Sequence, residues 1–172
     1  MESPDPTDVH DKPTSLGNGH GPQDVIARAR RALAPALMSL QEADFYAYGT
    51  IDDQHRWTIA ADDEAGRIDV RVGQDGFEVE LWASSPGLYI EEENEFRRRA
   101  LERLARMTIP NIARGFLQPH QSASWDETEQ GVAVRLHYEL PFTRGDDIGV
   151  FVRGKLPELA ELLAEVESRV TA

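Results

Sequence analysis

The residues best equipped for chemistry in this 172-residue chain are carboxylates: Asp52-Asp53, Asp62-Asp63-Glu64 and Asp146-Asp147 form three clusters, each beside turn-forming residues. Paired carboxylates work as general acid and base when their surroundings separate their proton affinities. Hard-cation loops place oxygen ligands at alternate positions around a glycine bend. None of the three clusters has that register, so locally they read as solvated turn formers. A small acidic enzyme would need the hairpin loops that carry them to converge in one cleft.

The other reactive residue types are sparser. The five histidines are His10, His20, His55, His120 and His137, and no two stand at metal-ligand spacing. The absence of cysteine removes disulfides, thiolate metal sites and cysteine nucleophiles together, and fits a reducing compartment. Ser39, Ser84, Ser85 and Ser122 lack the context of a nucleophile elbow. Gly17-Asn18-Gly19-His20-Gly21 is glycine-rich like a phosphate loop, but no strand pattern precedes it. Neither a catalytic residue, a metal site nor a cofactor is expected.

Charge is the strongest bulk signal, with 31 acids against 18 bases and a net charge of −13. The field of such a surface repels phosphate backbones, because non-specific nucleic-acid affinity comes from cations that displace counterions. Direct nucleic-acid binding is therefore not expected, while a basic or amphipathic protein partner is. The single basic run, Arg97-Arg98-Arg99, follows a run of acids that offsets its field. No stretch approaches the ~20 apolar residues of a membrane span, and no secretory leader pattern opens the sequence, so a cytoplasmic location is expected.

Positioning elements follow from periodicity. Residues 1–22 hold four prolines and three glycines among few apolar side chains and read as a disordered tail; residues 23–172 read as one domain. Asp24 can cap a first helix reaching Gln41, with Ile26, Ala29, Leu33, Ala36, Leu37 and Leu40 on one face and a kink or division at Pro35. Four strands are predicted at about 44–51, 56–62, 67–73 and 76–83; their short polar loops make an antiparallel meander and exclude crossover helices. A bend at Pro86 to Ile90 leads to a second helix over Glu91–Met107. Its acids precede its arginines, Glu93–Arg97, Glu95–Arg99 and Glu102–Arg106 are spaced to pair, and Phe96, Ala100, Leu104 and Met107 form a stripe for the sheet. Pro110 should break this helix, with a short turn resuming through Phe116. A hairpin pairs about Ser122–Glu127 with Val132–Leu140. Residues 148–153 fit helix or strand equally. A last helix starts with Pro157 in its first turn, lined by Leu159, Leu162, Leu163, Val166 and Val170. The fold class is α+β, an antiparallel sheet of meander plus hairpin covered by three main helices.

Some apolar residues fall outside this core pattern. Leu101 and Ala105 lie off the Phe96–Leu104 stripe, and Trp82 and Tyr89 lie near the end of the meander. Aromatic residues in such places cap a core or serve an interface, and a second stripe on the middle helix suits a two-fold contact. With Arg97, at the head of the basic run, they are the residues expected at a dimer or partner interface.

The element order from Asp24 to Thr171, with Arg135-Leu136-His137-Tyr138-Glu139-Leu140-Pro141-Phe142 leading into a Leu-rich helix over 156–170, resembles type III secretion chaperones and the YbjN-like proteins related to them. The four-strand opening departs from the usual three. The resemblance implies a non-enzymatic homodimer that binds a client protein. The YbjN-like side of the likeness points to a single-stranded-DNA-binding protein of the DNA damage response as that client. Contact with nucleic acid would then be indirect. In a gel-shift assay at low salt, the protein alone should leave single- and double-stranded DNA unretarded.

Overall fold

The computed structural model describes residues 21–172. The tail expected over residues 1–22 thus lies almost wholly outside the described residues, and Pro22 opens the first helix. Six strands, β1 (Tyr46–Ile51), β2 (Trp57–Asp63), β3 (Gly66–Val72), β4 (Gly76–Ser84), β5 (Gln121–Asp126) and β6 (Gly131–Pro141), form one sheet ordered β1-β2-β3-β4-β6-β5. Every neighbouring pair is antiparallel, as short loops require. The fold is the α+β sheet with three helices that the sequence predicts.

Alternation divides the sheet into two unlike faces. Ile59, Ile68, Val70, Phe77, Val79, Leu81, Val134 and Leu136 are buried beneath α1 (Pro22–Glu42) and α3 (Ile148–Thr171). The opposite face carries Arg67, Asp69, Arg71, Glu78, Glu80 and Arg135, tied across strands. Arg71 reaches Glu80 at 3.2 Å and Glu78 at 3.9 Å, Arg67 reaches Asp69 at 3.2 Å, and Arg135 also bonds Glu80.

Three prolines stand inside helices, and two of them change the expected helix limits. Pro35 does not divide α1; Pro110 lies inside α2 (Glu95–Phe116), which runs well past Met107; and Pro157 lies inside α3, which begins nine residues earlier, at Ile148. All three prolines are on the exposed side. The carbonyls they leave unbonded belong to Arg31, Arg106 and Arg153, four residues back on the same side of each helix, where water is nearest. Burial of Leu33, Ala36 and Leu40, of Ala105 and Ile109, and of Leu156 and Leu159 around these sites offsets a cost of about 3 kcal/mol each. The uncertain stretch 148–153 is the first part of α3. A 3-10 turn, Phe142–Asp147, leads into it and sets Phe142 edge-on against Phe77, with centroids 5.0 Å apart.

One buried hydroxyl joins α1 to α3. Ser39 donates to the Asp146 carbonyl at 2.8 Å and accepts from the Gly149 N–H at 2.8 Å, thereby serving the first turn of α3 from another helix. The backbones meet so closely that a Cβ on Gly149 would stand 2.2 Å from the Ser39 carbonyl oxygen and 2.8 Å from the Ala43 Cβ. Gly149→Ala should therefore lower the urea midpoint, by about 1–3 kcal/mol of unfolding free energy. Ser39→Ala leaves two backbone groups unpaired and should cost about 1–3 kcal/mol; a midpoint unchanged in both variants would refute the role of this crossing.

Candidate interaction surface

Asn94 starts α2, accepting the Arg97 N–H at 3.1 Å on its side chain. Glu91, Glu92 and Glu93 consequently precede the helix, and the expected Glu93–Arg97 pair is replaced by this cap. Glu95 and Arg99 do pair, at 2.6 Å. Arg106 turns away from Glu102 and forks onto Glu127, at 2.7 Å for Nη2 to Oε2. This bond holds the Glu127 carboxyl below its ordinary range against the opposing effect of desolvation.

The helix is also rotated from its expected orientation. Its inward seam is Glu102, Ala105, Ile109, Ile112, Ala113 and Phe116, at alternating three- and four-residue spacing with one neighbour added. α2 lies against β5 and α3. There Tyr89 stacks on Trp125 with centroids 6.2 Å apart, Arg106 lies over Trp125, and Phe116 lies under Arg169 at 4.0 Å. These rings supply the bulk, so a small side chain lets the helix approach. The stripe expected to face the sheet is solvent-facing: Phe96 is 84%, Leu104 60% and Met107 71% exposed, with Ala100 also exposed between them.

The residues expected at an interface are accordingly separated. Ala105, only 2% exposed, belongs to the internal seam and is corrected from the surface set. Leu101 is half-buried at the edge of that seam, and Arg97 is exposed beside Phe96. Tyr89 helps to seat α2 through Trp125. Trp82 sits elsewhere, on the charged sheet face, where its indole donates to Asp69 at 3.2 Å and its ring faces Arg135. The outward stripe was legible as a period but not as a direction, because α2 carries two apolar stripes.

The carboxylate clusters mostly serve their own turns, although Asp63 also takes Arg153 of α3 at 3.4 Å. Asp52 accepts from the Gln54 and Arg56 N–H groups at 2.9 and 2.8 Å, and Asp63 from the Ala65 N–H at 3.0 Å. Asp147 pairs with Arg144 at 3.5 Å. The Asp52 and Asp63 loops lie at opposite ends of β2, so these two loops do not converge as the enzyme alternative requires. Among the described residues no group of three or more His, Asp or Glu side chains could hold a metal ion.

A polar cluster that sequence spacing does not reveal joins the hairpin to α3. His120 Nε2–H and Gln121 Nε2–H donate to Glu158 Oε1 at 2.7 and 3.2 Å, and the Tyr138 hydroxyl donates to Oε2 at 3.0 Å. Burial works to raise the Glu158 pKa, but these hydrogen bonds outweigh it and hold the carboxyl below its usual range. Burial, then the same carboxylate, pushes the Tyr138 hydroxyl upward. Thirty-eight residues separate His120 from Glu158, so no local pattern announces the contact.

Among the described residues no helix is long and apolar enough to cross a membrane. Comparison with protein-family models, curated proteins and solved structures found no match.

The lowered Glu158 pKa carries a pH signature. Its stabilisation is complete above the ordinary glutamate value and is lost as pH falls through the lower folded value. Stability measured by urea unfolding across the acid range should fall less steeply in Glu158→Gln than in the parent chain; coincident acid limbs would refute the linkage.

Proposed function

We propose that this chain is a non-enzymatic, homodimeric protein-binding module of chaperone-like character, joined through the outward face of α2. The observation that carries this reading is the exposed Phe96–Leu104–Met107 stripe. Three large apolar side chains on one helix face are a contact surface in search of a partner, whereas scattered single ones are ordinary.

Charge supports a second copy as that partner. The α2 segment holds six arginines against two glutamates, within a chain of net charge −13. The acids of Glu91, Glu92 and Glu93 stand just before its N-terminus, and Arg106 and Arg114 lie in its second half. In a two-fold antiparallel crossing, the acids that precede each helix approach Arg114 of the other, while the apolar stripes meet between them. Parallel alignment would place like charges together.

The bound client, on this reading, is a basic or amphipathic protein segment that the acidic surface attracts. A single-stranded-DNA-binding protein of the DNA damage response is the client we propose from the likeness to YbjN-like proteins, and the cytoplasm is the proposed location.

Light scattering at micromolar concentration should give about twice the chain mass of 19.3 kDa. Leu104→Glu should halve that mass with an unchanged circular dichroism spectrum, because Leu104 is exposed in the protomer. The buried-seam variant Ala105→Ser should leave the mass alone. A monomeric parent, or a dimer indifferent to Leu104→Glu, would overturn the reading.

A further inference from the structure

The sheet has two edges, and they are finished differently. β5 has α2 against it, and the Gln121 N–H at its start is taken by the Gln118 carbonyl at 3.0 Å. The outer edge of β1 has no such cover. Its parity follows from one bond: the Asp52 N–H donates to the Arg56 carbonyl at 2.9 Å, which makes Asp52 and Arg56 a hydrogen-bonded pair. Counting back along the register, Thr50, Tyr48 and Tyr46 bond to β2, while the N–H and C=O groups of Ala47, Gly49 and Ile51 point away from the sheet. The Phe45 N–H, next in that outward row, is taken by the Leu40 carbonyl at 3.0 Å. The outward groups of Ala47, Gly49 and Ile51 have no partner among the described residues.

Edge strands are commonly guarded by a lysine, a proline, a bulge or a covering element. β1 has no charged side chain and no proline, and it pairs with β2 over six residues without a bulge. Its exposed side chains are large and uncharged: Tyr46 is 78% and Ile51 44% exposed. The Tyr46 and Tyr48 rings stand 5.8 Å apart on the wet side of the strand, and Gly49 leaves its middle without a side chain. An unpaired, unguarded row of backbone groups is a template for one more strand.

Charge decides whose strand it is. Asp44 stands just before β1 and Asp53 just after it; both are exposed, and neither makes an ion pair among the described residues. Asp62 adds a third exposed acid, accepting the Tyr48 hydroxyl at 3.4 Å. Two copies of β1 paired antiparallel would set Asp44 of each against Asp52 and Asp53 of the other, and like charges would repel at both ends. We propose that β1 receives an added strand from a partner protein: an extended segment with an uncharged, β-forming centre and a lysine or arginine at each end. Main-chain bonds to Ala47, Gly49 and Ile51 hold it, its end cations meet Asp44 and Asp53, and Tyr46 offers a ring face to one of them. The inference rests on the protein-binding half of the function proposed above and does not need the dimer.

The test is fluorescence anisotropy of a labelled, end-blocked peptide of alternating valine and threonine with a lysine at each end, titrated with the full chain. Two counterpart peptides carry glutamate ends, or N-methyl groups on every central amide. The lysine-ended peptide should bind at least about tenfold more tightly than either. Amide hydrogen exchange at Ala47, Gly49 and Ile51 should slow when it binds. Ile51→Pro removes an outward N–H, spares the bonds to β2 and should weaken binding about tenfold; the peptide series and the exchange measurement stand even if that variant misfolds. N-methylation without effect, equal binding of the glutamate-ended peptide, or protection of α2 in place of β1 would overturn the assignment. So would a mass that Ile51→Pro halves and Leu104→Glu does not, which would give the edge to a second copy. A monomeric parent that binds the peptide ends the dimeric reading and supports this one; a dimer that ignores the peptide overturns this inference alone.

Discussion

The architecture depends on the crossing of the first and last helices at Ser39 and Gly149. A sheet built from a meander and a later hairpin has no covalent reason to keep α1 and α3 side by side, yet both must cover its single apolar face. The Ser39 hydroxyl spans the gap by serving the Asp146 carbonyl and the Gly149 N–H together. Gly149 lets the backbones come close enough for both bonds. Arg153, one turn further along α3, donates to the Ala43 carbonyl at the end of α1 and lies over Phe45, so the join continues past the crossing. With two helices locked over the sheet, α2 is left to cover β5 and keeps one face for solvent.

The charged sheet face shows how pairing across strands makes surroundings that no single strand displays. Register places Trp82 between Arg67 on β3 and Arg135 on β6. An aromatic ring flanked by two arginines on an exposed sheet resembles a base-stacking platform. Here Arg67 is tied to Asp69, which also takes the Trp82 indole N–H, and Arg135 is tied to Glu80. The cations are already matched by neighbouring carboxylates. This agrees with the acidic character of the whole chain, which makes an approaching phosphate backbone costly.

Much of the fold was legible. Period-two alternation in 66–72, 76–84 and 131–141 required a sheet with one apolar face, and short polar loops required antiparallel neighbours. The α3 stripe of Leu159, Leu162 and Val166 is buried as its spacing predicts. The helix limits were less legible, because Pro35 read locally as a kink or division, Pro110 as a break and Pro157 as a helix start. Each sits on a solvent side, where the missing hydrogen bond is cheap, and packing on the other side carries the helix through. The interface residues were the least legible. Trp82 and Tyr89, close in sequence, serve different faces, and Leu101 and Ala105 lie toward the inside of a helix whose stripes could be assigned either way round.

Composition and periodicity alone determined the class: an acidic, cysteine-free α+β chain whose sheet presents one greasy and one wet face. These follow from local stereochemistry and from the bulk balance of charge, which every residue carries wherever it lies. Only tertiary structure decided which stripe of α2 turns inward and that His120 and Tyr138 meet on Glu158. Those outcomes depend on which bulky side chains from distant segments already occupy a space, and no spacing along one segment encodes that.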